Sequence, residues 1–493
     1  MTVQDIDLRA VAAPSVLALT AVLVLLAGAF AGEPRTRRAA LVPAALTVLG
    51  TVVAAVPALG LWTSPRSTFC VVRPPLGGPA PCSFEVDRLT LVFWAITLLG
   101  TAVVALLGTA AVADGRVPQG EWCFLLLSTA TGALTLAASR DLVTLLVSLE
   151  VVSLPAFALA GLRRGDPRAA EAALKFFLVS VVSTAVMLMG ISLLYGATGS
   201  VYLDGIASAL ATGVPAQQVA VAATLLTVVG LAFKVAAVPF HMWVPDTYTG
   251  APVAVAAYLS VVSKAAGFAG LVLVLDRGLG ALASTWAPVM AVLAALTMTV
   301  GNVLALRQTH AVRLLAWSSV AQAGYVLVPF GAGTAAGSVG ATLGYLAVYA
   351  FVNLGAFSVA ALVGTRYPRQ HLEDYRGLVR EEPGAGWALA FALVALAGLP
   401  PGVVGLLAKV VVLQAASGTV TWLAVVMAVN VAIGLVYYAR WLRELFRPAT
   451  DAAGSSYDIP NGVAVAIGMT LVAGLVFSVL PGWLLDPVLG VLG

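Results

Sequence analysis

FKVAAVPFHMWVPDTYTGAP, residues 233–252, sets Lys234 at the end of an apolar run and Pro239 shortly after it. Proline removes an amide donor and clashes with the preceding turn, so the helix that carries Lys234 is expected to bend or break beside Pro239. At membrane depth, broken helices are tolerated where they line a watery cavity, and transporters place such breaks at their binding sites. His241 follows the proline by two residues. A histidine there either passes protons near neutral pH or sits satisfied near the inner interface. Trp243 and Tyr248 read as interfacial anchors.

Working outward, the rest of the chain has the same character. Of 493 residues, 61% are hydrophobic and 10% are charged, against about 25% charged in a soluble domain. A spanning helix needs about 20 apolar residues, and such runs recur from end to end. Fourteen are expected, at about 13–32, 39–62, 89–112, 120–139, 141–162, 173–196, 217–243, 251–275, 283–306, 313–331, 338–363, 386–414, 420–446 and 462–490. The first is kept as a mature helix, since no cleavage site follows it. The net charge of +4 is small, and the arginines lie in short loops, which speaks against nucleic acid. No CxxC or Cys/His cluster suggests a metal or iron–sulfur centre.

Basic loops set orientation. With the N-terminus outside, seventeen basic residues face inward and six outward. Arg35, Arg37, Arg38, Arg116, Arg163, Arg164 and Arg168 belong to the inner set, and Arg9, Arg66, Arg73 and Arg140 to the outer. Both termini are therefore expected outside. The three basic residues left over are Lys234, Lys264 and Lys409, each within an apolar span. The whole chain has only four lysines.

Each charge at the centre of a span costs about 2.5–3.5 kcal/mol on insertion scales, so three lysines and Glu150 cost roughly 10 kcal/mol before pairing. An ionisable residue there is a functional candidate; the plain alternative is an ion pair that only fixes packing. One glutamate shared among lysines on different helices makes that alternative weak. A lysine gives up its proton more readily when desolvated and less readily near a carboxylate, whereas arginine stays protonated. Arginine in the loops and lysine in the spans therefore favours proton relay. Glu150, in LLVSLEVVSLPAF (145–157), is expected to be the acidic partner of Lys234. Lys264 lies in SVVSKAAGFAG (260–270). Lys409 follows Pro400 and Pro401, which should interrupt the twelfth span. Secondary relay candidates are His241, Tyr325 and Lys175, the last of which is also explained as a surface i,i+4 pair with Glu171. Tyr349, Asn302, Asn353 and Asn430 suit ordered water or interhelical hydrogen bonds equally. Cys70 and Cys82 share an outward loop where a disulfide is permitted, and Cys123 reads as a buried small residue.

Several segments carry a family resemblance: SLEVVSLPAFALAGLRR (148–164), EAALKFFL (171–178), the stretch quoted first, LSVVSKAAGF (259–268), ALRQTHAVRLLAWSSVAQAGY (305–325) and LAGLPPGVVGLLAK (396–409). Across about 85–445 the chain resembles the antiporter-like membrane subunits of respiratory complex I. The resemblance is nearest to the N-type subunits of NADH:quinone oxidoreductase, on Tyr248-x-Gly-Ala-Pro, the LEDYRGL loop (372–378) and lysine at 409. It implies an all-α polytopic fold of two inverted five-helix repeats, 120–275 and 283–446, with spans seven and twelve broken and 1–112 and 462–493 as flanking helices. It also implies a proton-translocating module, with Glu150, Lys234, Lys264 and Lys409 as its polar axis. This chain would hold no cofactor; NAD, FMN, iron–sulfur clusters and quinone would belong to other subunits, and its partners would be neighbouring antiporter-like subunits. Two departures stand out: Gln322 replaces the usual histidine, and Thr249 replaces a frequent glutamate. A subunit of a multisubunit cation/proton antiporter or membrane-bound hydrogenase is the rival within the family. Outside it, the rivals are a solute transporter, which should show a substrate-sized polar site, and an inactive scaffold, which leaves the four charges unexplained.

Overall fold

The computed structural model describes residues 6–31, 37–71, 80–113, 117–335, 337–449 and 459–492. Arg35, Arg73 and Arg116 of the charge tally lie outside them. Among the described residues, thirteen helices are long and apolar enough to cross a membrane. They are Leu8–Phe30, Val42–Leu59, Arg88–Val112, Gln119–Ala138, Leu142–Ala160, Pro167–Thr198, Gln217–Lys234, Val253–Gly278, Gly280–Ala305, Ala311–Ala332, Ser338–Arg366, Thr421–Phe446 and Asn461–Val479. The expected twelfth span is the pair Pro383–Ala397 and Val403–Ser417, each too short to cross alone. With that pair counted as one interrupted span, the fourteen fall in the expected order.

Local chemistry sets several ends. Asp141 caps the fifth span by accepting from the amides of Val143 and Thr144, an N-terminal preference of aspartate. The sixth starts earlier than expected, because Asp166 caps it and Pro167 opens it; proline suits a first turn whose amides are unpaired anyway. The fourteenth stops earlier than expected, at Val479. Pro481 follows, and a separate short helix, Gly482–Leu489, turns back onto the eleventh span.

Burial divides the spans. The eighth, tenth and eleventh are enclosed almost throughout, whereas the first, second, sixth and fourteenth present rows of exposed Leu, Val and Phe. An apolar exterior of this kind is what lipid covers.

The connections fall on two ends. At one end, Arg66–Cys70 and Cys82–Val86 form an antiparallel hairpin joined by the Cys70–Cys82 disulfide. Asp7, ahead of the first span, receives Arg66 at 3.2 Å and donates its amide to Thr68. Arg140, between the fourth and fifth spans, pairs with Glu85 and Asp87 at 3.0 Å, and Arg277, closing the eighth, also reaches Asp87. Burial pushes the Asp87 carboxyl up, but the Arg140 and Arg277 guanidiniums outweigh it and hold the group below the usual range. At the opposite end, a single bridge joins His310 to His371. Every such contact joins loops separated by an even number of crossings, which is what fourteen spans require.

Candidate functional site

The two broken spans position the intramembrane charges, and the breaks are built alike. The first half of the seventh span ends at Lys234 itself, not at Pro239. Its end closes by two bonds, Ala236 N–H to the Phe233 carbonyl and Ala237 N–H to the Ala232 carbonyl, the pairing that satisfies orphan carbonyls at a helix C-terminus. The closure needs a left-handed residue, and Ala236 adopts φ 62°. Helix resumes at Trp243–Gly250. In the twelfth span the first half ends at Ala397 with the same pair of bonds, Gly398 to Ala395 and Leu399 to Val394, and Gly398 has φ 81°. Pro239, Pro400 and Pro401 all lie in the connecting turns, just past each closed end, and all are exposed.

Lys234 is buried and donates to Ser153 Oγ of the fifth span at 2.7 Å. Glu150, one turn before Ser153, is half-buried and accepts from Thr184 of the sixth span at 2.7 Å. The expected pairing is therefore indirect: Ser153 takes the amine and Thr184 takes the carboxylate. Gly267 makes room for the Lys234 stem, since a Cβ there would lie 3.0 Å from Lys234 Cγ. Lys264 is one turn before Gly267, and π-helical turns precede and follow its segment, a distortion frequent at functional sites. Its amine points the other way, to the tenth span, donating to Ser319 Oγ at 3.0 Å and to the Ser319 carbonyl.

One turn beyond Ser319 is Gln322. Its amide donates to Tyr438 at 3.1 Å and to the Leu396 carbonyl at 3.3 Å, while its oxygen accepts from Tyr345. Lys409 completes the row. From the second half of its broken span it reaches back to the Leu396 and Ala397 carbonyls, at 2.6 and 2.7 Å, and its amine lies 5.6 Å from the centre of the Tyr325 ring. A cation beside a helix C-terminus is favourably placed. A cavity of about 10 Å³, the size of one water, lies between Gln322, Tyr345, Tyr349 and Leu396. Among the described residues, Tyr248, Tyr349 and Ser263 bury hydroxyls without a hydrogen-bond partner around this row.

The secondary candidates scatter. Tyr325 belongs to the row through Lys409 and accepts from Asn302 at 2.9 Å. Asn302 also bonds Asn430 and Tyr437, and Asn353 donates to Ser260, so these amides tie helices together. His241 is buried against Trp317, with Nδ1 unpartnered. Lys175 stays at the surface of the end opposite the disulfide, bonded to Glu171 at 2.8 Å and to Asp246 at 3.0 Å, so it fastens the sixth span to the second half of the seventh. Trp243 and Tyr248 are not interfacial anchors: they are 1% and 0% exposed. The second half-helix folds inward, Trp243 stacks on Phe176 at 4.3 Å, and its indole donates to the Phe233 carbonyl. Sequence reasoning did not single out Ser153, Thr184, Ser319 or the Leu396 carbonyl. Serine and threonine are common in apolar spans, and only the fold tells which ones meet a lysine.

The chain is similar to known proteins along most of its length. Residues 139–434 match the family described as NADH:quinone oxidoreductase/Mrp antiporter, TM. NADH-quinone oxidoreductase subunit N 2 of Streptomyces griseus is 50% identical, over 97% of this chain and 92% of that protein. NADH-quinone oxidoreductase subunit N of Trichlorobacter lovleyi is 33% identical, over 98% and 96%. A chain of respiratory complex I from Thermus thermophilus, solved with bound aureothin, superposes with a TM-score of 0.77 at 32% identity, over 96% of this chain and 98% of that one. A chain of the Mrp complex from Dietzia sp. shares the fold, with a TM-score of 0.81 at 22% identity over 98% and 97%.

Proposed function

The chain belongs to the NADH:quinone oxidoreductase/Mrp antiporter transmembrane family, and from that premise we propose that it carries protons along Glu150, Lys234, Lys264 and Lys409. It is a multi-pass, antiporter-like membrane subunit of a multisubunit complex, read here as a proton-translocating NADH:quinone oxidoreductase. The carrying observation is the row itself. Thr184 and Glu150 lead to Ser153 and Lys234, then across Gly267 to Lys264 and Ser319, and through Gln322 to the carbonyl that Lys409 also holds.

Each member suits the task. A lysine exchanges its proton and an arginine does not. A hydroxyl both donates and accepts, so Ser153 serves Lys234 in either protonation state. The unpartnered hydroxyls of Tyr248, Tyr349 and Ser263 are positions for bound water, which bridges the gaps between amines. Electron transfer, and with it NAD, FMN, iron–sulfur clusters and quinone, is assigned to other subunits, whose energy reaches this row through the assembly.

Two inverted units, 120–275 and 283–446, organise the row. In each, the first two spans pack together, the third is long and the fourth is broken. Fourteen crossings make the fourth span and the ninth start from opposite sides, as inversion demands. Both termini are placed outside the bacterial plasma membrane. The basic loops favour this, and so does the Cys70–Cys82 disulfide on the N-terminal side, since disulfides persist in oxidising compartments.

The test is NADH-driven proton pumping in inverted vesicles carrying Lys234→Ala, with assembly of the complex checked on a native gel. A sharp fall of pumping and quinone reduction in an assembled complex is expected. Untouched pumping overturns the role of Lys234, and cation/proton antiport by the same vesicles is then the measurement that picks out the rival reading.

A further inference from the structure

A cavity at the end opposite the disulfide has none of the proton row's lysines in its lining and several other basic residues instead. About 590 Å³ in volume, it opens among the ends of the third, sixth, tenth and eleventh spans and the connection between the seventh and eighth. That is within the usual range for a ligand site. Arg163, Arg168, Arg369, His310 and His371 line it, against one acid among the described residues, Asp166. Asp166 is already engaged: it accepts the Arg168 amide at 3.0 Å as a helix cap and faces Arg163 at 3.8 Å. The Arg168 and Arg369 guanidiniums have no carboxylate partner among the described residues. Leu107, Ala110 and Ala111 near the end of the third span, with Val117 ahead of the fourth, give it an apolar wall.

We propose that this cavity holds the phosphate of an anionic phospholipid headgroup. Guanidiniums match phosphate oxygens bidentately, and two of them line this cavity without a carboxylate partner among the described residues. The cavity lies at the level where spanning helices end, so the headgroup arrives at its own depth while the glycerol and first methylenes meet the apolar wall. Anionic lipid is concentrated in the cytoplasmic leaflet, and basic pockets between helices on that side suit it. The choice of leaflet rests on the sidedness proposed above; the binding does not, and it requires no pumping.

The experiment uses the whole complex, stripped with detergent and then exposed to vesicles of phosphatidylcholine with or without phosphatidylglycerol. Phosphatidylglycerol retained after re-extraction is counted by mass spectrometry. Each basic residue near an anionic surface contributes about 1 kcal/mol and tenfold corresponds to about 1.4 kcal/mol, so Arg168→Gln with Arg369→Gln should weaken retention roughly thirtyfold. Arg369→Gln alone should weaken it about fivefold by the same constants, and it is the variant to read if the double one does not assemble. Arg168→Lys with Arg369→Lys should keep most of the retention. Equal retention by wild type and the glutamine variants overturns the site. Displacement of phosphatidylglycerol by inorganic phosphate at equal concentration overturns the lipid source, leaving a site for soluble phosphate.

Discussion

The two breaks close with the same backbone and use their lysines in opposite ways. Lys234 is the last residue of its first half-helix, and its amine leaves that helix for a hydroxyl on the fifth span. Lys409 is on the second half-helix, and its amine turns back to the carbonyl end of the first. A carbonyl only accepts, whereas a hydroxyl accepts or donates. The first site therefore serves amine and ammonium alike, and the second asks its lysine to go on donating. The lesson is that a helix break supplies two different things to a buried amine: at the first, freedom to point away, and at the second, a ring of orphan carbonyls.

Exchanging lysine for arginine breaks this comparison most severely. Arginine keeps the charge and the donors but holds its protons, and positioned acid–base groups contribute about 10²–10⁴ in rate. Lys234→Arg should therefore cut NADH-driven pumping roughly a hundredfold in an assembled complex. Lys409→Arg is expected to do the same, measured by dye quenching in inverted vesicles. Normal pumping by Lys409→Arg would show that the second amine merely fastens its two half-helices.

Next is the left-handed residue of each break. Gly398 needs φ 81°, and a Cβ there would lie 2.9 Å from Lys409 Cδ and 3.2 Å from its amine. Gly398→Ala should therefore cost about 1–2 kcal/mol from backbone handedness alone and also displace the amine, cutting pumping about tenfold at that energy. Ala236 already sits at φ 62°, so Ala236→Gly should keep pumping within about twofold and raise thermal stability by up to about 1 kcal/mol. Both are read by thermal unfolding of the complex alongside pumping. If Ala236→Gly is the more damaging change, the two closures are not equivalent.

The breaks also show how far the residues could be read before the fold was known. Glu150, Lys234, Lys264, Lys409 and the interrupting prolines were legible, because a charge or a proline in an apolar run is locally conspicuous. The point of interruption was not: the helix stops at Lys234 through a closure around an alanine, and a search for glycine passes over Ala236. Burial of Trp243 and Tyr248 was also hidden. Aromatic residues near a span end suit an interface on propensity alone, and here tertiary packing on Phe176 decides instead. Ser153 and Ser319 lie 81 and 55 residues from the lysines they meet, and no local pattern carries such a pairing.

Gln322 sharpens the comparison from between the breaks. It was visible as a departure from histidine, but its position beside the Leu396 carbonyl that Lys409 also holds was not. Gln322→Leu strands the Tyr345 hydroxyl and removes a donor from Leu396, and an unsatisfied buried polar group costs about 1–3 kcal/mol. Pumping should fall severalfold. Gln322→His should retain pumping and add a protonation step to its pH profile. A pH profile of Gln322→His identical to wild type would mean that protons bypass this position.

The smallest effect lies in two fastenings at the end opposite the disulfide. The first uses ion pairs, with Asp246 meeting Lys175 at 3.0 Å and Arg313 at 3.7 Å. The second uses the bridge between His310 and His371, where His310 Nδ1 also caps the tenth span by accepting the Arg313 amide at 3.3 Å. That bond needs an unprotonated Nδ1. Burial lowers the His310 pKa, and the nearby His371, Arg313 and Arg168 lower it further, against Asp374. The folded group therefore takes a proton at lower pH than the unfolded one. Its contribution is complete above about pH 6.5 and is lost as pH falls from there toward the depressed folded value. Amide exchange over 310–313 and 370–372, corrected for intrinsic rates, should quicken on going from about pH 7.5 to about pH 5.5 by an amount worth under about 1 kcal/mol. His310→Asn offers an oxygen that caps without titrating, so it should abolish the pH dependence while leaving exchange at neutral pH unchanged. Persistence of the same pH dependence in His310→Asn would move the titration to another group, with His371 the next to replace.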